Sequence, residues 1–229
     1  MIPRLPKAYP VSATSALPDA AVAIATAFNR EGIAAVLTGA AAAAIHTRDR
    51  MKCHELNYSL TSGATAARLA AALRHLGFDP EGSGGTHAHA DAGVVLSLTQ
   101  APLALGLDTK VLAQTLQLRN GFVRILSPTD CCREWLLAWK TTRDEKDLKR
   151  AAALAAACDI SMTAMRAWMR TEHLGNGWFA FCRLVSPSHA QPSSVKAFSM
   201  SSTSSLPARS SIAATSNRTG RSSKPLRDR

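Results

Sequence analysis

Three short stretches carry side chains whose types and spacing could do chemistry. In CHELNYSL, residues 53 to 60, Glu55 and Asn57 stand two apart, so in an extended strand they face the same side. The stretch is either a plain buried strand or a strand that presents oxygen ligands to a metal. In HAHAD, residues 87 to 91, alternating histidines could point together toward a transition metal. No third ligand is assured nearby, and the preceding GSGG favours a surface loop. The adjacent Cys131 and Cys132 follow SPTD, where the start of a helix would lower a thiol pKa, but Asp130 beside them acts against this. His54 adjoins Glu55 but would face the opposite side of a strand, as a lone, partly buried histidine.

The elements that must position these residues follow from periodicity and punctuation. Residues 18 to 30 have helical spacing with Val22, Ile24, Ala25 and Phe28 near one face, and Gly32 ends the helix. Residues 33 to 38 (IAAVLT) suit a buried strand, and Gly39 opens a brief helix, AAAAIH. A second strand is expected over 55 to 60. The following helix, TSGATAARLAAALRHLGF, would be capped by Thr61 or Ser62 and end at Gly77. Further strands are read at 93 to 98 and 122 to 126, with a possible helix at 109 to 118 between them. From Pro128 the pattern is purely helical, with helices near 129 to 140, 144 to 158 and 160 to 173. Trp135 and Trp139, and Met165 and Met169, are pairs four apart that share a helix face and read as packing. The fold class is therefore α+β: a small mixed sheet flanked by helices, followed by a C-terminal helical bundle.

Composition bounds the rest. The chain has 229 residues, 46% of them hydrophobic but only 5% aromatic, so alanine carries the balance and the helices should pack closely around a thin core. The apolar runs are too short to cross roughly 30 Å of hydrocarbon, and the N-terminus lacks the apolar stretch of a secretory signal. No membrane partner and a cytoplasmic location are the expectation. Five cysteines form neither a disulfide framework nor a CxxC zinc pattern, and they read as reduced, mostly buried thiols. The formal charge is +11, but seven Lys or Arg and one Asp lie from Ser186 onward, so a net +6 belongs to a Ser- and Pro-rich tail. That tail, 186 to 229, cannot bury enough surface to order itself. It could touch nucleic acid weakly. Lys140, Arg143, Lys146, Lys149 and Arg150 concentrate positive charge, but Asp144, Glu145 and Asp147 dilute it, so this reads as a solvated face.

Taken together, the order of these pieces resembles the minimal nucleotidyltransferase-like family, of the bacterial toxin/antitoxin type. LTGAAAAAIH resembles its Gly-Gly-x-Ala-x-x-x-His opening, and HELNYSL lies where the family has an Asp-x-Asp-Phe strand. APLALG resembles its Gly-Pro-Leu-Ala-x-Gly segment, and ILSPTDC its strand-to-helix junction. TRDEKDLKRA and MRAWMRTEHL resemble its Asp-x-x-x-Leu-x-x-Ala and Trp-x-x-x-Glu helices. The resemblance implies an N-terminal extension (1–17), a nucleotidyltransferase-like domain (18–127), a helical region (128–185) and the tail (186–229).

It also implies a site. Thr38 and Gly39 would bind the phosphates of an NTP through backbone amides at a helix N-terminus. Glu55, Asn57 and Ser97 occupy the places of three metal-binding carboxylates, with Glu55 the residue that can still ligate Mg²⁺. Asn57 is a poorer ligand, Thr38 replaces the first glycine of the usual pair, and Trp135 stands where a basic residue is expected. The resemblance thus implies a degenerate member, catalytically impaired, with a protein partner and a regulatory role of toxin/antitoxin type. The alternative is an active Mg²⁺-dependent enzyme moving NMP from NTP to a protein or RNA hydroxyl.

Overall fold

The computed structural model describes residues 11–48, 53–81 and 85–185. The basic tail and residues 1 to 10 of the N-terminal extension lie outside the described residues. Among the described residues no helix is long and apolar enough to cross a membrane.

The chain opens with helix α1 (Leu17–Arg30), which has a proline in its first turn and is followed by Gly32 at φ +69°. Strand β1 (Ala34–Thr38) leads directly into helix α2 (Gly39–His46), and strand β2 (Glu55–Ser62) follows. Helix α3 (Ala66–Arg74) is capped by Thr65, whose hydroxyl accepts from the Arg68 amide at 3.3 Å. The expected caps Thr61 and Ser62 lie instead in β2, because Gly63 at φ +77° postpones the turn. Strands β3 (Phe78–Glu81), β4 (Thr86–His89), β5 (Val95–Thr99), β6 (Gln114–Leu118) and β7 (Gly121–Ile125) come next. Four helices complete the chain: α4 (Pro128–Thr142), α5 (Glu145–Ala157), α6 (Met162–Thr171) and α7 (Gly175–Val185).

All seven strands form one mixed sheet in the order β3-β4-β5-β2-β1-β7-β6. β2 runs antiparallel to β1 and parallel to β5, while β7 runs parallel to β1. The register sets Thr38 opposite Asn57 and Asn57 opposite Ser97. On β2, Leu56, Tyr58 and Leu60 are buried on one face, and Glu55, Asn57 and Ser59 share the other.

Several elements differ from the sequence expectation. In place of the helix at 109 to 118 stands the strand β6 over its second half, where Leu116 and Leu118 alternate with Thr115 and Gln117 and a two-residue loop leads into β7. HAHAD is not a surface loop: Thr86–His89 is an inner strand between β3 and β5. The partner strand β3 contains Asp79 and Pro80, which hide its extended character, and Pro80 is tolerated there because β3 is an edge strand. Helix α7 follows the three expected helices. Its Gly177 is a packing requirement, since a Cβ there would lie 2.5 Å from a Trp139 ring carbon.

The core is alanine-rich, as composition implies: Ala20, Ala21, Ala41, Ala42, Ala43, Ala44 and Ala151 are essentially inaccessible, so helices approach the sheet closely. Trp135, Met165 and Met169 are buried in this core. Tyr58 is its largest inaccessible side chain, edge-on to Phe28 with ring centroids 5.6 Å apart. Its hydroxyl donates to the Ala21 carbonyl oxygen at 2.9 Å, pinning β2 to α1. Tyr58→Phe should therefore lower stability by about 1 kcal/mol, measured as a lower urea midpoint at unchanged m-value; an unchanged midpoint would mean that this bond contributes nothing.

Candidate functional site: the cleft at the β1–α2 turn

The site begins where β1 ends. Thr38 is extended, with φ −129° and ψ −176°, and Gly39 then turns to φ +66° to start α2. An L side chain is strained at that φ. Space also selects glycine, because a Cβ at this position would lie 3.1 Å from Asn57 Nδ2. The turn is thus fitted to the side chain on the neighbouring strand. Thr38 does not cap the helix itself: its hydroxyl donates to the Asn57 carbonyl oxygen at 3.3 Å.

The cap comes from far along the chain. The Gly39 amide donates to Glu134 Oε2 at 2.7 Å, a bond between residues 95 positions apart. Glu134 is carried to it by α4, whose N-terminus is fixed by a reciprocal pair: Ser127 Oγ accepts from the Asp130 amide at 3.1 Å and donates to Asp130 Oδ2 at 2.6 Å. Burial pushes the Glu134 carboxyl up from its ordinary pKa, and the bond from Gly39 holds it back down in part.

Around this contact lies a cleft of about 200 Å³, lined by Thr38, Ser59, Thr99, the 101–105 loop, Leu126 and Glu134. The loop wall is tied to α4 and α6. Trp168 Nε1 donates to the Leu105 carbonyl oxygen at 3.2 Å, and the buried Glu172 accepts from the Leu107 amide. Lys140 pairs with Glu172 at 3.3 Å, and Arg133 with Asp108 at 3.4 Å. Gly106, at φ +65°, packs so closely on Glu172 that a Cβ would overlap its carboxyl group. The APLALG segment and the Trp-x-x-x-Glu helix therefore touch, with Trp168 and Glu172 on one helix face.

The structure brings Thr38, Gly39 and Asn57 together at the turn. Glu55 and Ser97 meet on the same sheet face, where Ser97 Oγ donates to Glu55 Oε1 at 2.9 Å, but neither lines the cleft. The donor set along β2 and β5 is thus one exposed carboxylate, one amide and one hydroxyl already bonded to that carboxylate. Mg²⁺ favours anionic oxygens in near-octahedral geometry, and this set does not fit it. Among the described residues no group of three or more His, Cys, Asp or Glu could hold a metal ion. Trp135, where a basic residue is expected, is buried in the core.

The other candidates are placed elsewhere. His89 is buried edge-on to Phe78, and its Nδ1 accepts from the Asp91 and Ala92 amides. Burial lowers the His87 pKa. His54 is exposed, contrary to expectation. All five cysteines are free; Cys131 and Cys132 are buried and the other three are half-buried. Burial pushes the Cys132 thiol up to about 12 and Cys131 well above its usual range, so neither is a thiolate nucleophile at neutral pH.

Neither a family model nor a curated protein matches the chain. Its structure is similar to that of an antigenic nucleotidyltransferase-like protein from Paracoccidioides brasiliensis, with a TM-score of 0.51 and 15% identity over 74% of this chain and 94% of that one. The fold is nucleotidyltransferase-like. Two structures of ANT(2'')-Ia are also similar. One, in complex with adenylyl-2''-tobramycin, has a TM-score of 0.46 and 14% identity over 66% of this chain and 94% of that one. The other, a solution structure of this antibiotic-resistance factor, has a TM-score of 0.42 and 13% identity over 70% and 92%.

Within this nucleotidyltransferase-like fold, the residue that sequence reasoning missed is Glu134. The ordinary helical phase of α4 held a signal: Cys131, Cys132, Trp135 and Leu136 form its buried face, and Glu134 borders it. Because the folded-state pKa of Glu134 is raised, this carboxyl favours folding when protonated and loses that contribution as pH rises through its folded pKa. Glu134→Gln keeps an acceptor for the Gly39 amide without the charge. Its Tm should gain on that of the wild type as pH is raised from 4 to 7; a flat difference would show that folding leaves this carboxyl unshifted, and one of opposite sign that the charge stabilises the cap.

Proposed function

We propose that this nucleotidyltransferase-like protein is catalytically impaired and acts by binding a protein partner, as a regulatory protein of toxin/antitoxin type. The observation that carries this reading is the bond from the Gly39 amide to Glu134. An amide at a strand-to-helix turn is where the fold would receive a phosphate oxygen. Here an NTP would have to displace a carboxylate and then lie against its charge.

The donor set beyond the turn supports the same reading. Two-metal nucleotidyl transfer needs ions that clamp the attacking and leaving oxygens. Glu55 alone offers an anionic oxygen among Glu55, Asn57 and Ser97, and one of its oxygens accepts from Ser97. Binding of a partner is supported by the tethered loop, which holds Leu107 at 67% exposure while its amide is bonded to Glu172. That apolar side chain lines a separate concavity with Asp108, Arg133 and Trp168.

Calorimetric titration of the full chain with ATP, GTP, CTP and UTP, with and without Mg²⁺, tests the proposal. We expect no saturable heat at millimolar nucleotide. Saturable binding that strengthens with Mg²⁺ and is lost in Glu55→Ala would sink it and establish the alternative, an active enzyme that transfers NMP to a protein or RNA hydroxyl.

A further inference from the structure

The two edges of the sheet are built differently. β3 gives three of its four positions to Asp79, Pro80 and Glu81, and charges and proline on an edge keep other strands from pairing with it. β6 (QTLQL) carries neither a charge nor a proline. Its hydrogen-bonding phase follows from its neighbours. The Leu126 amide donates to the Leu37 carbonyl oxygen at 3.0 Å, so on β7 the backbone groups of residues 122, 124 and 126 turn toward β1, and those of 121, 123 and 125 toward β6. The register sets Leu118 opposite Gly121, Leu116 opposite Val123 and Gln114 opposite Ile125. These three residues of β6 therefore bond β7, while the amides and carbonyls of Thr115 and Gln117 point away from the sheet. Among the described residues no strand lies on that side. The side chains leave this edge uncovered as well: Thr115, Gln117, Phe122 and Arg124 are exposed on one face of the hairpin, and Leu116 and Leu118 on the other are only half-buried.

The outward groups are symmetric about Leu116, the middle residue of β6. A second copy of the strand, laid antiparallel with Leu116 on a two-fold axis, sets Thr115 opposite the second copy's Gln117, and Gln117 opposite its Thr115. Each pair exchanges both main-chain bonds, so the outward amides and carbonyls of one chain are satisfied by those of the other. Leu116 meets its own copy in the non-hydrogen-bonded position, where facing side chains lie closest, and leucine covers leucine. On the exposed face the cross-strand row then reads Arg124, Thr115, the second copy's Gln117 and the second copy's Phe122, so the two Arg124 side chains do not face each other. Centring the axis on Thr115 or Gln117 instead leaves a single bonded pair within Gln114–Leu118. We propose that the protein forms a two-fold homodimer in which the β6 strands pair antiparallel through Thr115 and Gln117, joining two seven-stranded sheets edge to edge. The blunted β3 edges stop growth at two copies. An extended segment of another protein could bond the same edge, but the match of Leu116 to itself and of Thr115 to Gln117 favours the copy. Strands this short bury little surface between them, so the dimer should exchange with monomer. The inference is independent of the partner-binding reading.

Sedimentation velocity of the full chain, from nanomolar to millimolar concentration, tests this. The expected result is a reversible shift from the mass of one chain to that of two. Gln117→Pro removes one outward N–H, leaves every bond to β7 in place and should abolish the shift with Tm unchanged. Because a proline can also disturb the strand, a charge exchange supplies a second arm. Thr115→Glu/Gln117→Glu sets carboxylate against carboxylate in both pairs, and Thr115→Lys/Gln117→Lys sets ammonium against ammonium, all at exposed positions. Each double variant alone should stay monomeric, and an equimolar mixture of the two should dimerise, which no folding defect would produce. A wild type that is monomeric throughout overturns the inference and leaves the edge to an extended segment of another protein. A dimer that persists in Gln117→Pro and in both charge variants lies elsewhere on the surface and overturns it too. Growth past two copies overturns closure by β3.

Discussion

The left-handed turn at Gly39 is the constraint on which the functional face depends. It lets the backbone leave β1 and enter α2 within one residue, with Asn57 packed against the space a side chain would need. The amide exposed by that turn is capped by Glu134, which docks α4 beside the end of the sheet. Neighbouring bonds secure the same junction: the Leu126 amide donates to the Leu37 carbonyl at 3.0 Å, and His46 Nε2 lies 2.8 Å from the Leu126 carbonyl oxygen. β1, α2, β7 and α4 therefore meet at one point. A shift in α4 would uncap α2, and a side chain at 39 would press on that of Asn57.

The second support is the loop from Ala101 to Asp108, which carries one wall of the cleft and is held by the helices that follow the sheet. Glu172 is buried with its charge, a state that is costly unless compensated. The Leu107 amide and Lys140 compensate it from two elements, while Trp168 holds Leu105 and Arg133 holds Asp108 at the loop's C-terminal end. Arg133 also lies over the Trp168 ring at 5.6 Å, linking α4 to α6. The helices after the sheet thus complete the cleft.

Much of this was legible in the sequence where local chemistry dictates the outcome. Pro18, Gly32 and Gly39 punctuate the first elements as expected, because a proline in a first turn and glycines at positive φ act within a few residues. The Trp-x-x-x-Glu and APLALG patterns were visible as separate motifs. What joins them is a contact 65 residues long in sequence, which no local pattern encodes. The strands β3, β4 and β6 were hidden for a different reason: Asp79, Pro80, two histidines and three polar residues of QTLQL mask extended segments whose hydrogen bonds are supplied by neighbours in the sheet. Glu134 was illegible as a site residue for the same reason as the loop tether. Its partner is an amide, and amides have no sequence signature.

The electrostatics of the functional face follow from these contacts. A site that clamps two metals gathers carboxylates that repel one another until the ions arrive, so its resting state carries unfavourable charge. Here the two carboxylates near the turn are each satisfied by a neutral donor, Glu55 by the Ser97 hydroxyl and Glu134 by the Gly39 amide. Each needs no ion to hold its place, and each keeps one oxygen outside that bond. The face is therefore ordered in advance of any ligand, and the charge it offers is negative.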